Sequence, residues 1–162
     1  MPIETPEFII EIFLHPSEFY WGDSDTRIKT ILGSCVALCL WNPVKKIGGM
    51  SHSLLPKRSE PVERLNDKKA RYVDEAVEMF LHEIKKSKTN PSDYKVLLFG
   101  GGNMFEEKAN LSSMRIGERN IEQARISLKE NGFRVESEQV GGNLSRNVVF
   151  DLWSGTVQLK KI

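Results

Sequence analysis

The sequence predicts a layered domain that mixes helices and strands, α/β or α+β, on three observations. Short apolar runs bounded by turn residues recur along most of the chain. Two longer segments instead repeat their apolar residues at helical spacing. The length of 162 residues fits one domain, residues 1–162. A chain of this size buries about 70% of its unfolded surface, enough for a core without staples. Strands interleaved with two helices then imply layers, although the order of the strands is not written in such a pattern.

In chain order, the apolar runs at 7–14 and 27–32 read as strands, separated by the turn-prone Gly22-Asp23-Ser24-Asp25. Runs at 36–41 and 47–55 flank Asn42-Pro43-Val44-Lys45-Lys46, a hairpin connection in which Pro43 has its φ preset and gives up no ladder donor. Residues 57–70 are polar and read as a surface loop, a candidate gate. A helix follows, because Val73, Ala76, Val77, Phe80, Leu81 and Ile84 share one face. Lys85, Lys86 and Lys88 near its end complement the helix dipole. Residues 95–99 read as a buried strand that enters Gly100-Gly101-Gly102-Asn103. A second helix fits 117–131 on Ile121, Ala124, Ile126 and Leu128, with Gly132 as its stop. Strands are expected at 133–139, 147–152 and 156–160.

Charge and composition narrow the function classes. The chain has 23 Lys+Arg against 22 Asp+Glu, a net +1, which argues against a nucleic-acid partner attracted by bulk charge. No apolar stretch approaches the roughly 18 residues of a membrane span. The opening MPIETPEFIIEIFLHP carries acids and prolines where a secretory signal needs a basic flank and an unbroken apolar run. A cytoplasmic protein with reduced thiols and no membrane insertion is therefore expected, and two cysteines are too few for a disulfide framework.

The chemistry concentrates in Thr30-Ile31-Leu32-Gly33-Ser34-Cys35 and Gly48-Gly49-Met50-Ser51-His52. Gly33-Ser34 lets the backbone turn tightly before Cys35, a placement suited to a nucleophile if a base is near. With Asn42 to Lys45 as a four-residue loop, Trp41 pairs with Lys46 and Cys35 falls opposite His52. Directly opposite residues have Cβ atoms roughly 4.5–5.5 Å apart, so thiol and imidazole would touch. Taken singly, Cys35 reads as a buried structural thiol and His52 as a hydrogen-bonded core histidine; only the pair points to chemistry. Cys39, amid Val36, Ala37, Leu38 and Leu40, reads as packing. A Cys35–Cys39 disulfide is disfavoured, since four residues of strand span about 13 Å.

Competing sites are weaker. No paired Cys-x-x-Cys or His-x-x-x-His spacing supports zinc. His15 precedes Pro16 in a turn, and His82 lies off the apolar face of its helix. Gly100-Gly101-Gly102-Asn103 could cradle phosphate but lacks the Walker lysine and a dinucleotide fingerprint, so a close-packed loop beside the site is preferred. Gly141-Gly142-Asn143 reads as a turn into a strand, and Lys68, Lys69 and Arg71 as a solvated loop and helix start.

Several of these segments together resemble a known family. Leu32-Gly33-Ser34-Cys35-Val36, Ile47-Gly48-Gly49-Met50-Ser51-His52 and Leu54-Leu55-Pro56 closely resemble CheD, the chemoreceptor glutamine deamidases of bacterial chemotaxis. The similarity continues through Phe99-Gly100-Gly101-Gly102-Asn103-Met104-Phe105, Ile116-Gly117-Glu118-Arg119-Asn120 and the segment from Gly141-Gly142 to Asp151. It implies a three-layer α/β/α sandwich with mixed or antiparallel sheets, and hydrolysis of receptor glutamine side chains to glutamate. It places the nucleophile on Cys35 and its partner on His52, with Thr30 as the nearest match to the family's threonine. Ser145 before Arg146 departs from the family's usual glycine.

That role agrees with the chemistry of the residues. A thiolate assisted by His52 would attack the carboxamide, and backbone N–H groups around Gly33, Ser34 and Cys35 are candidates to hold the oxyanion. No metal or organic cofactor is required. The expected partners are the helical cytoplasmic domains of chemoreceptors, engaged at a shallow groove. Phe19, Tyr20 and Trp21 are either aromatic contacts for that helix or ordinary packing. Two other readings remain at this stage: a non-catalytic regulator of the phosphatase CheC, which the resemblance also permits, and a general cysteine hydrolase such as a peptidase.

Overall fold

The structure, a computed structural model, describes residues 4–59, 69–104 and 115–162. In chain order its elements are β1 (Ile10–Phe13), β2 (Phe19–Gly22), β3 (Thr26–Leu32), β4 (Val36–Asn42), β5 (Ile47–Ser53), α1 (Val73–Lys86), β6 (Lys95–Gly100), α2 (Ile116–Glu130), β7 (Val135–Val140), β8 (Arg146–Asp151) and β9 (Thr156–Lys161). They form a four-stranded sheet, β1-β3-β8-β9, and a five-stranded sheet, β2-β5-β4-β6-β7. Both are mixed: β1–β3 and β6–β7 are parallel pairs and the rest are antiparallel.

The strand β4 organises the layers. All its residues are buried, so it reads as an apolar run without alternation. Its odd and even positions nevertheless serve different cores. Val36, Leu38 and Leu40 face the helices and join Val77 and Phe80 of α1 and Ile121 and Leu128 of α2. Ala37, Cys39 and Trp41 face the other sheet and join Ile28, Val148 and Phe150. The layers thus run helices, five-stranded sheet, four-stranded sheet. Mixed sheets in three layers are observed, but the layer opposite the helices is the second sheet and not a further helical layer. Both helices bury their apolar stripes on one face of β4, and the inward side chains of β3 and β8 occupy the other.

Three local expectations change. The segment Phe19-Tyr20-Trp21 is strand β2, paired antiparallel with β5. Phe19 and Trp21 pack against Phe80 with ring centroids 4.7 and 6.3 Å away, partly buried against the helical core, which is the packing alternative for these two aromatics. Ile126 is 43% exposed, because the buried stripe of α2 runs Gly117, Asn120, Ile121, Ala124 and Leu128, and residue 126 lies off that spacing. The proposed gate at 57–70 falls mostly on residues 60–68, which lie outside the described set. Its described end is tied down: Ala70 is buried, its N–H bonds the Ser17 carbonyl at 2.7 Å, and its carbonyl accepts from Ser53 Oγ at 2.7 Å.

The hairpin register also differs. Trp41 pairs with Gly48, and Ala37, not Cys35, lies opposite His52. The cause is the side chain of Asn42, whose Oδ1 accepts from Val44 N and Lys45 N, both at 3.0 Å. This Asx turn keeps Asn42 in the ladder opposite Ile47, with Lys46 at φ 53° closing the loop. The slip is two residues, an even number, so Cys35 stays on the same face as His52.

Candidate active site

The site lies where the first residue before β4, the end of β5 and the middle of β3 converge. Thr30 points inward from the four-stranded sheet and His52 inward from the five-stranded sheet; both are almost fully buried. Their side chains meet across the gap between sheets, with Thr30 Oγ1 2.7 Å from His52 Nδ1. The same hydroxyl lies 2.8 Å from the Leu14 carbonyl oxygen.

These two contacts determine a tautomer. A hydroxyl has one proton, and a carbonyl can only accept, so that proton goes to Leu14. The hydroxyl oxygen must then accept from His52 Nδ1–H. A neutral His52 therefore presents Nε2 as a free lone pair, the form required of a base. The main chain of His52 is held as firmly. Its N–H bonds the Glu18 carbonyl at 3.0 Å and its carbonyl accepts from Ser17 N at 2.9 Å, with Ser17 in the left-handed region at φ 77°.

Cys35 is a free, partly exposed thiol packed at the rim of the inter-sheet core. In the observed register it is the diagonal neighbour of His52 on their shared face, a relation in which Cα atoms are about 7–8 Å apart. The loop carrying it is anchored by three consecutive carbonyls. Gly33 O accepts from Gly102 N at 2.9 Å, Ser34 O from Asn120 Nδ2 at 3.1 Å, and Cys35 O from Gly101 N at 2.9 Å. Gly100, at φ 106°, is the tightest point of this contact: a Cβ there would lie 2.1 Å from the Cys35 carbonyl oxygen. The glycine run is thus a close-packed support for the loop that carries Cys35.

Burial shapes the electrostatics. It pushes the Cys35 thiol above its ordinary value and drives His52 down to about 4, the latter partly opposed by the Glu18 carboxylate. Both shifts disfavour a resting thiolate–imidazolium pair. They favour the neutral forms of the thiol and the imidazole.

Two residues outside the predicted set support this region. Asn120, fully buried in α2, also donates to the Leu54 carbonyl at 2.9 Å. Arg146, 4% exposed, donates to the Gly141 carbonyl at 2.6 Å and reaches the Gly100 carbonyl at 3.4 Å. It ties the glycine loops to β8, opposite Leu32 in the ladder. A polar residue on the buried stripe of a helix was the available signal for Asn120. Ser145 has no left-handed φ, so serine at this position imposes no backbone strain.

Comparisons with known proteins identify the family. A family model described as CheD chemotactic sensory transduction matches residues 54–161, a span that begins just after His52. Full-length relatives extend the similarity over the rest. A probable chemoreceptor glutamine deamidase CheD 3 from Dechloromonas aromatica (strain RCB) is 43% identical over 155 residues, covering 96% of this chain and 89% of that protein. A probable chemoreceptor glutamine deamidase CheD 1 from Leptospira interrogans serogroup Icterohaemorrhagiae serovar copenhageni is 37% identical, covering 98% and 97%. Among solved structures, the hypothetical protein YfiH of Bacillus licheniformis is 15% identical with a TM-score of 0.49, covering 74% of this chain and 49% of that one.

Proposed function

The chain belongs to the CheD family, and from that premise we propose that it is a chemoreceptor glutamine deamidase using Cys35 as nucleophile and His52 as base. It converts selected receptor glutamine side chains to glutamate and releases ammonia. The observation that carries the mechanism is the Thr30–His52 contact, which commits Nδ1 as donor and leaves Nε2 for the thiol proton.

The steps follow from these residues. The Cys35 proton passes to His52 Nε2 as sulfur bonds the carboxamide carbon and its oxygen becomes an oxyanion. The imidazolium returns the proton to nitrogen, the C–N bond breaks, and ammonia leaves a thioester on Cys35. Neutral His52 then removes a proton from water, whose oxygen attacks the thioester. Cleavage of the C–S bond restores the thiol and frees glutamate. The net reaction consumes one water, and the product carries a charge the amide lacked. Such a charge shifts a receptor's signalling equilibrium when the two states interact with it differently.

The test is to incubate the protein with chemoreceptor cytoplasmic domains and map amide-to-acid conversion by mass spectrometry. Conversion at discrete glutamines, with ammonia released in equal amount, is expected. Conversion that continues undiminished with Cys35→Ala would overturn the mechanism. No conversion of any receptor, together with tight binding of the phosphatase CheC, would replace this reading with the regulatory one.

A further inference from the structure

Asn120 occupies a place that packing does not explain. It is a carboxamide at 0% exposure on the buried stripe of α2, which holds one other buried polar side chain, Ser127. Its Nδ2 group spans two backbone carbonyls, Ser34 at 3.1 Å and Leu54 at 2.9 Å. Its Oδ1 is buried and has no hydrogen-bond partner among the described residues. Exchanging the two amide atoms does not repair this, because an oxygen would then face two carbonyl oxygens. The position of the acceptor is therefore imposed by what the donor does, and it is the donor that ties two loops together.

The two carbonyls belong to the two loops that matter most. Ser34 immediately precedes the nucleophile, and Leu54 follows the β5 end that carries His52. The helix is brought up to them by Gly117, one turn earlier on the same face. A Cβ on Gly117 would lie 2.5 Å from the Gly101 carbonyl oxygen and 2.7 Å from that of Gly102. Only glycine lets α2 come close enough for Asn120 to reach both loops.

The peptide geometry supplies the consequence. In a trans peptide the carbonyl of one residue and the N–H of the next point in opposite directions. Holding the Ser34 carbonyl toward α2 therefore turns the Cys35 N–H away from the helix. That N–H branches from the same Cα as the side chain that carries the sulfur. The donor is thus beside the atom that attacks, where the oxygen of a bound carboxamide becomes an oxyanion.

We propose that Asn120 is the positioning residue for the oxyanion donor: it holds the Ser34–Cys35 peptide so that the Cys35 N–H faces the reacting oxygen, and fixes this point relative to His52 through the Leu54 carbonyl. The inference rests on the amidohydrolase reading for its substrate, but its test does not need a receptor. The probe is ¹³C-carbonyl butanal. The Cys35 sulfur adds to the aldehyde carbon, the C=O π bond becomes a C–O single bond, and the thiol proton ends on that oxygen. Iodoacetamide is the counter-probe: sulfur displaces iodide from carbon and no oxyanion forms.

In the unsubstituted protein the butanal adduct is expected to form on Cys35 and to move the Cys35 amide proton downfield in a ¹⁵N–¹H spectrum. Asn120→Ala is expected to weaken adduct formation at least about tenfold and to lower kcat for receptor deamidation about 10²-fold, the scale of one lost oxyanion donor, with KM little changed. Its Cys35 alkylation rate should stay within about threefold of the parent, because thiol ionisation is untouched. Asn120→Leu, which keeps the volume and loses the donor without burying a charge, should behave alike and serves if the alanine variant fails to fold. Unchanged aldehyde affinity, or alkylation and adduct formation falling in step, would overturn the proposal. So would absence of the adduct, or an unmoved Cys35 amide, in the unsubstituted protein, a result that needs no variant. If the adduct behaves as expected while no receptor is deamidated, the substrate assignment fails and the donor assignment stands.

Discussion

Cys35 and Cys39 stand four residues apart on one face of the same segment, yet they occupy opposite environments. Cys39 is sealed between the sheets, with Met50 and Leu97 as its ladder partners and burial pushing its thiol far up. Cys35 sits just beyond the strand end, partly exposed, where the ladder gives way to glycine loops and the inter-sheet face turns polar with Thr30 and His52. The difference teaches that thiol chemistry here is set by position along the strand. An alternating strand delivers both sulfurs to the same interface, and only at its end does that interface supply a base, backbone donors and access.

The largest expected contrast comes from making the same change at both places. Cys35→Ser should lower deamidation by about 10⁴-fold or more, as loss of a nucleophile does, with the melting temperature nearly unchanged. Cys39→Ser should leave turnover within a few-fold but destabilise the fold by about 1–3 kcal/mol, because a hydroxyl would be buried among apolar groups. Denaturant titration alongside activity separates the two outcomes.

His52→Ala comes next, with a loss of about 10²–10⁴-fold, the range of general acid–base catalysis. Thr30→Val is smaller, about 10–10²-fold in kcat, since it keeps the shape and removes the oxygen that accepts from Nδ1–H. It also leaves that buried N–H and the Leu14 carbonyl without partners, at a cost of about 1–3 kcal/mol. Steady-state kinetics with thermal melts would show both effects.

The smallest predicted effect is a pH dependence. Since His52 is held down to about 4, the acid limb of kcat/KM should lie near that value and not near the ordinary 6.5 of the free side chain. Stability carries the same signature. The unfolded chain binds more protons at this residue between about pH 6.5 and pH 4, so its contribution is present above 6.5 and lost as pH falls through that window. His52→Asn should flatten that part of the stability profile, measurable by urea unfolding across pH.

Much of the site was legible because its chemistry depends on residue types and on parity. Cys35 and His52 could be named from residue types and assigned to one face, while Thr30 came only through the family resemblance. Their register could not, since the two-residue shift arises from Asn42 accepting from its own loop. The helices announced themselves through periodicity, whereas β2, a four-residue strand in which every residue is partly buried, offered no alternation to read. The stacking of a second sheet against the first was equally hidden. It follows from which face of β4 each helix chooses, a tertiary choice that the apolar run of β4 leaves open. Asn120 escaped notice for a related reason: its partners are backbone carbonyls, which carry no sequence signal.

The most direct test uses the native pair of thiols. Limited iodoacetamide treatment of the folded protein, followed by peptide mapping and a receptor deamidation assay on the same samples, should show activity falling in proportion to alkylation of Cys35 while Cys39 stays unlabelled. Full activity with Cys35 completely alkylated, or loss that tracks Cys39, would contradict the account.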